Sequence, residues 1–204
     1  MIDLYAAGTA NGIRARIGLE ECGLAYTFHP IDLMKGEQKS AAFLAMNPNG
    51  QIPVIVDSDG PGGKPVTLSQ SVAVLLYCAE KSGKFLPKEA SARPAFWQSL
   101  MSAASDMSGM VTAIFTLSRN KEQHGPAIEA FKSMWKNYMK VWDDRLGTQR
   151  YAAGSDITIA DFALYGPIAR VQGAQPALLE GCANVARWAD EMAARPAIQR
   201  AMKF

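Results

Sequence analysis

The sequence predicts an α/β domain of thioredoxin-like layout followed by an all-α domain, and three observations carry that prediction. Strand-like and helical runs alternate as βαβ(α)ββα up to Gly83. A stretch from Phe85-Leu86-Pro87 to Arg93-Pro94 then breaks the pattern as an interdomain linker does. From Ala95 onward strand signals vanish and apolar residues recur at helical spacing. The predicted boundaries are 1–83 for the α/β domain, 84–93 for the linker and 94–204 for the helical domain.

Met1 to Tyr5 alternate as a short strand, and Ala6 to Ala10 form a small-residue loop. Asn11 can cap a helix that turns Ile13, Ile17 and Leu19 inward and stops at Gly23. Tyr26 to Ile31 returns after that helix, so it runs parallel to the first strand by a right-handed crossover. Lys35 to Met46 is polar and reads as a short helix. Ile52 to Val56 and Pro65 to Leu68 are strands joined by a turn-rich loop, and Val72 to Ala79 reads as a helix.

In the second half, Met107, Met110, Val111, Ile114 and Phe115 form one apolar stripe, and Phe131, Trp135, Tyr138, Met139 and Trp142 form another. Met101, Met107 and Met110 could line an adaptable pocket or pack as core. Thr158-Ile159-Ala160-Asp161 has the form of a capping box, with Ile157 and Phe162 as its staple, and its expected role is structural.

With 204 residues, 49% of them hydrophobic, and 20% charged, the chain has material for one large or two small cores. The net charge of +2 is too small and too interspersed to indicate nucleic acid or an anionic membrane as a partner. The longest uninterrupted apolar run is far shorter than the ~20 residues that span a bilayer, and Met1-Ile2-Asp3 does not read as a signal peptide, so the expected location is the cytoplasm. The three cysteines, Cys22, Cys78 and Cys182, are far apart and include no CxxC pair, which argues against a disulfide framework or a zinc site. His29 and His124 have no metal-ligand neighbours, so no metal is expected.

Two stretches point to ligand chemistry. In Asn49-Gly50-Gln51-Ile52-Pro53-Val54-Ile55 a proline sits where a strand begins, and it cannot donate a ladder hydrogen bond. Such a strand entry leaves backbone groups able to grip a peptide. In Leu68-Ser69-Gln70-Ser71 a serine-rich turn opens a helix, whose first N–H groups and positive dipole end suit a carboxylate.

Together these stretches resemble the glutathione-binding site of the glutathione transferase superfamily, and the resemblance extends over essentially the whole chain. The opening Met1-Ile2-Asp3-Leu4-Tyr5 with Thr9 and Asn11 is most similar to the bacterial nu-class and disulfide-bond reductase branch. The resemblance implies a cis peptide before Pro53, pairing of Ile52 with the glutathione backbone, and Gln51, Gln70 and Ser71 at the ligand's other polar groups. It implies that Thr9 and Asn11 contact the sulfur, that glutathione is the co-substrate and that the chain forms a homodimer. The second substrate would be a small electrophile or a disulfide. Two departures stand out: Ala10 lies where the beta class carries a cysteine, and Gln51 replaces the lysine common in the nu group.

A thioredoxin-like layout without CxxC needs sulfur from its ligand. Lowering a thiol pKa from ≈ 8.5 to ~6.5 takes about 2.7 kcal/mol. One hydrogen bond to a charged group supplies roughly 1.5–3 kcal/mol, and Thr9 and Asn11 are the side-chain donors between Tyr5 and Arg14. Tyr5 falls on the strand and is expected to pack there. Arg14, Arg16, Lys35, Lys39 and Arg119 are expected to be solvated charges. The rival reading is a non-catalytic binding or regulatory module on the same scaffold, which would have no need of the ligand-side residues.

Overall fold

The computed structural model describes residues 1–120, 122 and 124–204. The chain divides into two compact units, Met1–Leu86 with Ala194–Phe204, and Pro87–Ala193.

The first unit is built on β1 (Ile2–Ala6), α1 (Ala10–Cys22), β2 (Tyr26–Pro30), α2 (Ala41–Met46), β3 (Val54–Asp57), β4 (Val66–Ser69) and α3 (Ser71–Ser82). The strands lie in the order β2-β1-β3-β4, with β1 and β2 parallel and the other two pairs antiparallel. This is the mixed sheet that the alternation of elements predicts. Ile2, Leu4 and Ile55 bury one face of the sheet against Ala15, Leu19 and Cys22 of α1 and Val74 and Cys78 of α3. Each fully buried Leu or Ile in that layer is worth about 1.5–3 kcal/mol relative to an exposed one. The helices approach closely because Gly18 carries no Cβ; one there would lie 2.9 Å from Leu75 Cδ2.

β3 begins at Val54, two residues later than the apolar run suggests, and the Ile52-Pro53 peptide before it is cis. The C-terminal segment also departs from the sequence reading. α9 (Pro196–Ala201), expected within the helical domain, packs on α1. Arg195 places its guanidinium fork on Glu21 at 2.6 Å, Arg200 reaches Glu20 at 2.7 Å, and Ile198 and Ala201 are buried.

The second unit holds α4 (Arg93–Met101), a π-helical turn (Ser102–Met107), α5 (Ser108–Arg119), α6 (Gly125–Thr148), α7 (Ile159–Ala174) and α8 (Ala183–Ala193). The run Ala90–Arg119 is long and apolar enough by composition to span a membrane. Here Phe96, Leu100, Met107, Met110, Val111 and Ile114 of that run are buried in protein. Met101 departs from the predicted stripe and stays half exposed. On α6 the buried stripe is Trp135, Met139, Trp142 and Leu146.

The capping box at α7 is present as predicted: Thr158 Oγ1 accepts from the Ala160 N–H at 3.3 Å, and Asp161 Oδ2 accepts from the Thr158 N–H at 2.9 Å. It does more than cap. Asp161 Oδ1 also accepts from the Ala152 N–H and the Trp188 indole, so one buried carboxylate fastens the preceding loop and α8 to α7.

Candidate functional site

The sheet register gathers three chain reversals at one end. Val54 is paired with Tyr5 on one side and with Ser69 on the other. The exit of β1 into α1, the cis peptide before β3 and the exit of β4 into α3 are therefore neighbours. Thr9 and Asn11, Gln51 to Pro53, and Gln70 with Ser71 lie on these three reversals.

At the first reversal Thr9, not Asn11, is the helix cap. Thr9 has extended backbone angles, and its Oγ1 accepts from the Gly12 N–H at 3.1 Å. A threonine hydroxyl that accepts with a lone pair still has its proton to donate outward. Gly12 makes the tight turn possible, since a Cβ there would lie 2.0 Å from the Ala7 carbonyl oxygen.

Asn11 sits in the first turn, where its Oδ1 accepts from Arg14 at 3.1 Å and from the Ser71 hydroxyl at 3.2 Å. An arginine has donors only, so the atom facing it must be the amide oxygen, which leaves Asn11 Nδ2 as the outward group. Among the described residues Nδ2 donates no hydrogen bond.

Arg14 corrects the expectation of a solvated charge: it is 1% exposed, beneath the first turn of α1. Burial lowers its pKa to about 9, which still leaves the guanidinium protonated at neutral pH. Arg16 is not simply solvated either. Its guanidinium lies over the rings of Phe28 and Phe204, 4.6 and 5.1 Å from their centroids, and donates to the Tyr26 hydroxyl at 2.8 Å. Lys35 pairs with Asp32 in solvent, Lys39 donates to the Asn49 carbonyl, and Arg119 is exposed.

At the second reversal Pro53 is buried, Ile52 is half-buried and Gln51 is exposed. Among the described residues neither backbone group of Ile52 makes a hydrogen bond, so both are available to an extended peptide. The loop is held by Asn47, which sequence reasoning passed over. Buried at 4% exposure, it donates to the Gln51 carbonyl at 2.7 Å and accepts from the Asn49 N–H at 3.2 Å. Its signal was the Asn-Pro-Asn-Gly run, in which an Asn side chain replaces backbone turn bonds.

At the third reversal Gln70 has φ 74° and ψ 112°, a conformation that costs a non-glycine residue about 1–3 kcal/mol and recurs at functional sites. Gln70 occupies the N-cap of α3 without a side-chain cap bond, so the first N–H groups of α3 have no side-chain acceptor there. Ser71 is buried at 7% exposure. The N-termini of α1 and α3, both favourable to negative charge, are thus joined by the Ser71–Asn11 hydrogen bond.

Tyr5 behaves as a strand aromatic: it stacks on His29 with centroids 4.5 Å apart, and His29 is 2.7 Å from Asp3. Cys22 and Cys78 are buried, Cys182 is partly exposed, and burial pushes all three thiols up. Among the described residues no group of three or more His, Cys, Asp or Glu could hold a metal ion.

The chain is similar to known proteins over nearly its whole length. Residues 10–81 match the model of the glutathione S-transferase N-terminal domain, and residues 125–191 match that of the C-terminal domain. The disulfide-bond oxidoreductase YfcG of Escherichia coli K12 is 35% identical, over 99% of this chain and 94% of its own. A glutathione transferase family member from Pseudomonas fluorescens, solved with two glutathione bound, is 32% identical with a TM-score of 0.93, covering 99% of this chain and 92% of that one. A glutathione transferase from Pseudomonas putida, solved with one glutathione disulfide bound per subunit, is 29% identical with a TM-score of 0.91, covering 100% and 91%.

Proposed function

Because the chain belongs to the glutathione S-transferase family, we propose that it binds glutathione at the three reversals and uses the ligand's thiolate as a nucleophile. The observation that carries this reading is the Ser71–Asn11 contact, which joins two helix N-termini beside the cis Ile52-Pro53 peptide. Ile52 offers an N–H and a C=O to the peptide backbone of glutathione, with Gln51 and Pro53 flanking it. Gln70, Ser71 and the N-terminus of α3 take the γ-glutamyl carboxylate. Thr9 and Asn11 donate to the sulfur.

Two donors beside a helix N-terminus meet the ~2.7 kcal/mol that a thiol needs to ionise near neutral pH. The thiolate then attacks one sulfur of a small disulfide; a new S–S bond forms, the old one breaks, and the departing thiolate takes up a proton. A second glutathione thiolate attacks the mixed disulfide at the glutathione sulfur, giving glutathione disulfide and the second free thiol. Two glutathione molecules are oxidised and one disulfide is reduced. The relatives support this direction, since one is named a disulfide-bond oxidoreductase and two were solved with two glutathione or with glutathione disulfide. The same thiolate attacks an electrophilic carbon to give a conjugate. A cytoplasmic homodimer completes the reading.

The test is a glutathione-dependent disulfide reduction assay coupled to glutathione reductase, run beside conjugation of a reactive aryl halide. Turnover of the disulfide above the uncatalysed rate is expected. Binding of glutathione without turnover of either substrate would support the non-catalytic module instead.

A further inference from the structure

The buried guanidinium of Arg14 has no place in the binding scheme above, yet it lies against one of the two sulfur donors. Arg14 is 1% exposed, its Nη1 is 3.1 Å from Asn11 Oδ1, and the same oxygen receives the Ser71 hydroxyl at 3.2 Å. An isolated asparagine presents either end of its amide at similar cost. Here two donors converge on one atom, and turning the amide over would set its NH2 group against the buried guanidinium, two donors facing each other.

We propose that Arg14 is a positioning residue: it locks the Asn11 amide with oxygen inward and nitrogen outward, so that Asn11 can meet the glutathione sulfur only as a hydrogen-bond donor. The inference rests on the functional reading above and deepens it. The positive charge also polarises the amide, which strengthens the outward N–H groups as donors. Because Ser71 gives its proton to the same oxygen, the γ-glutamyl end and the sulfur end share one acceptor. A carboxylate that draws the Ser71 hydroxyl away leaves Asn11 held by Arg14 alone, so the arginine keeps the donor in register while glutathione is bound.

Three variants test this. Asn11→Asp keeps an acceptor oxygen for both Arg14 and Ser71 and adds an ion pair to the buried guanidinium, so it folds, but its outward atom is a charged oxygen that repels a thiolate. Its thermal midpoint is expected at or above that of the wild type while disulfide turnover falls at least tenfold; a smaller loss overturns the proposal. Arg14→Met fills the space without a donor, and at least a tenfold fall in kcat with KM for glutathione within threefold is expected. Arg14→Lys, again a donor without acceptors, should restore kcat to within threefold of the wild type. A folded Arg14→Met enzyme that loses less than tenfold, or an Arg14→Lys enzyme as impaired as Arg14→Met, contradicts the locking role. Should Arg14→Met fail to fold, Arg14→Gln, which can turn a carbonyl as well as an NH2 group towards Asn11, takes its place with the same thresholds. A wild type that neither binds glutathione nor turns over a disulfide removes the functional reading itself; an equally active Asn11→Asp variant removes Asn11 as a sulfur donor and this inference with it; a folded, fully active Arg14→Met variant removes this inference alone.

Discussion

The Trp188 indole N–H donates to Asp161 Oδ1 at 3.0 Å, inside a carboxylate cage that also receives the backbone N–H groups of Ala152 at 2.7 Å and Thr158 at 2.9 Å. Burial raises the pKa of this carboxyl, and the amide and indole donors oppose that rise. Asp161→Ala would leave the Ala152 and Thr158 N–H groups, the Thr158 hydroxyl and the Trp188 indole without their acceptor. A loss of about 3 kcal/mol or more is expected, well above the ~1 kcal/mol of a helix cap alone. Urea denaturation checks it, and the fraction that remains folded should keep its affinity for glutathione.

A second carboxylate contributes to the acid sensitivity of the first unit. Burial alone would raise the Asp57 pKa, but the Tyr77 hydroxyl at 2.6 Å, the Asp59 N–H at 2.9 Å and the Lys81 ammonium at 2.9 Å outweigh it and lower the pKa from 3.8 to about 2. A folded pKa below the unfolded one adds stability that is fully present above about pH 4 and is lost as the pH falls towards 2. The shift corresponds to about 2 kcal/mol. Asp57→Asn is therefore expected to lower stability at pH 7 by about that amount and to flatten the loss between pH 4 and 2. Denaturation curves at pH 7 and at pH 3 separate the variant from the wild type.

The sequence carried the fold because its signals were local. Alternation marked the strands, Gly23 and Gly83 closed helices in left-handed conformations, and the Thr158–Asp161 box opened α7 where expected. The departures have long-range causes. Thr9 and Asn11 are both good caps by residue type, and the choice between them follows from Asn11 Oδ1 being engaged by Ser71, 60 residues away. A buried arginine reads like a solvated one in sequence, because the packing that leaves Arg14 1% exposed comes from the tertiary fold. The placement of α9 depends on Arg195 finding Glu21, 174 residues apart. The site residues were legible as a set through their motif, while Arg14, Gly12 and Asn47, which shape the turns beneath them, left no periodic trace.

Ser71→Ala should weaken glutathione binding by ~1.5–3 kcal/mol, roughly a tenfold to hundredfold rise in Kd, because the hydroxyl faces a charged end of the ligand. Folding should change little, since among the described residues the hydroxyl makes one hydrogen bond, to Asn11. Calorimetric titration of a folded variant with unchanged affinity would move the γ-glutamyl site away from α3.

Changing Cys22, Cys78 and Cys182 together to Ala or Ser should leave substantial glutathione-dependent turnover, although the two buried positions lower stability. Burial pushes these thiols up and keeps them protonated at neutral pH, so none is poised as a nucleophile. Total loss of turnover in a well-folded triple variant would mean that a protein sulfur takes part.

Thr9 and Asn11 are expected together to make the bound thiol a thiolate. The most direct measurement is the ultraviolet absorbance of the glutathione thiolate as a function of pH, in the complex with the wild type and with the Thr9→Ala, Asn11→Ala double variant. A bound pKa near 6.5 is expected in the wild type, against ≈ 8.5 for an ordinary thiol, and a return towards that value in the double variant, with roughly a hundredfold loss of disulfide turnover. An equally low pKa and full turnover in the double variant would contradict it.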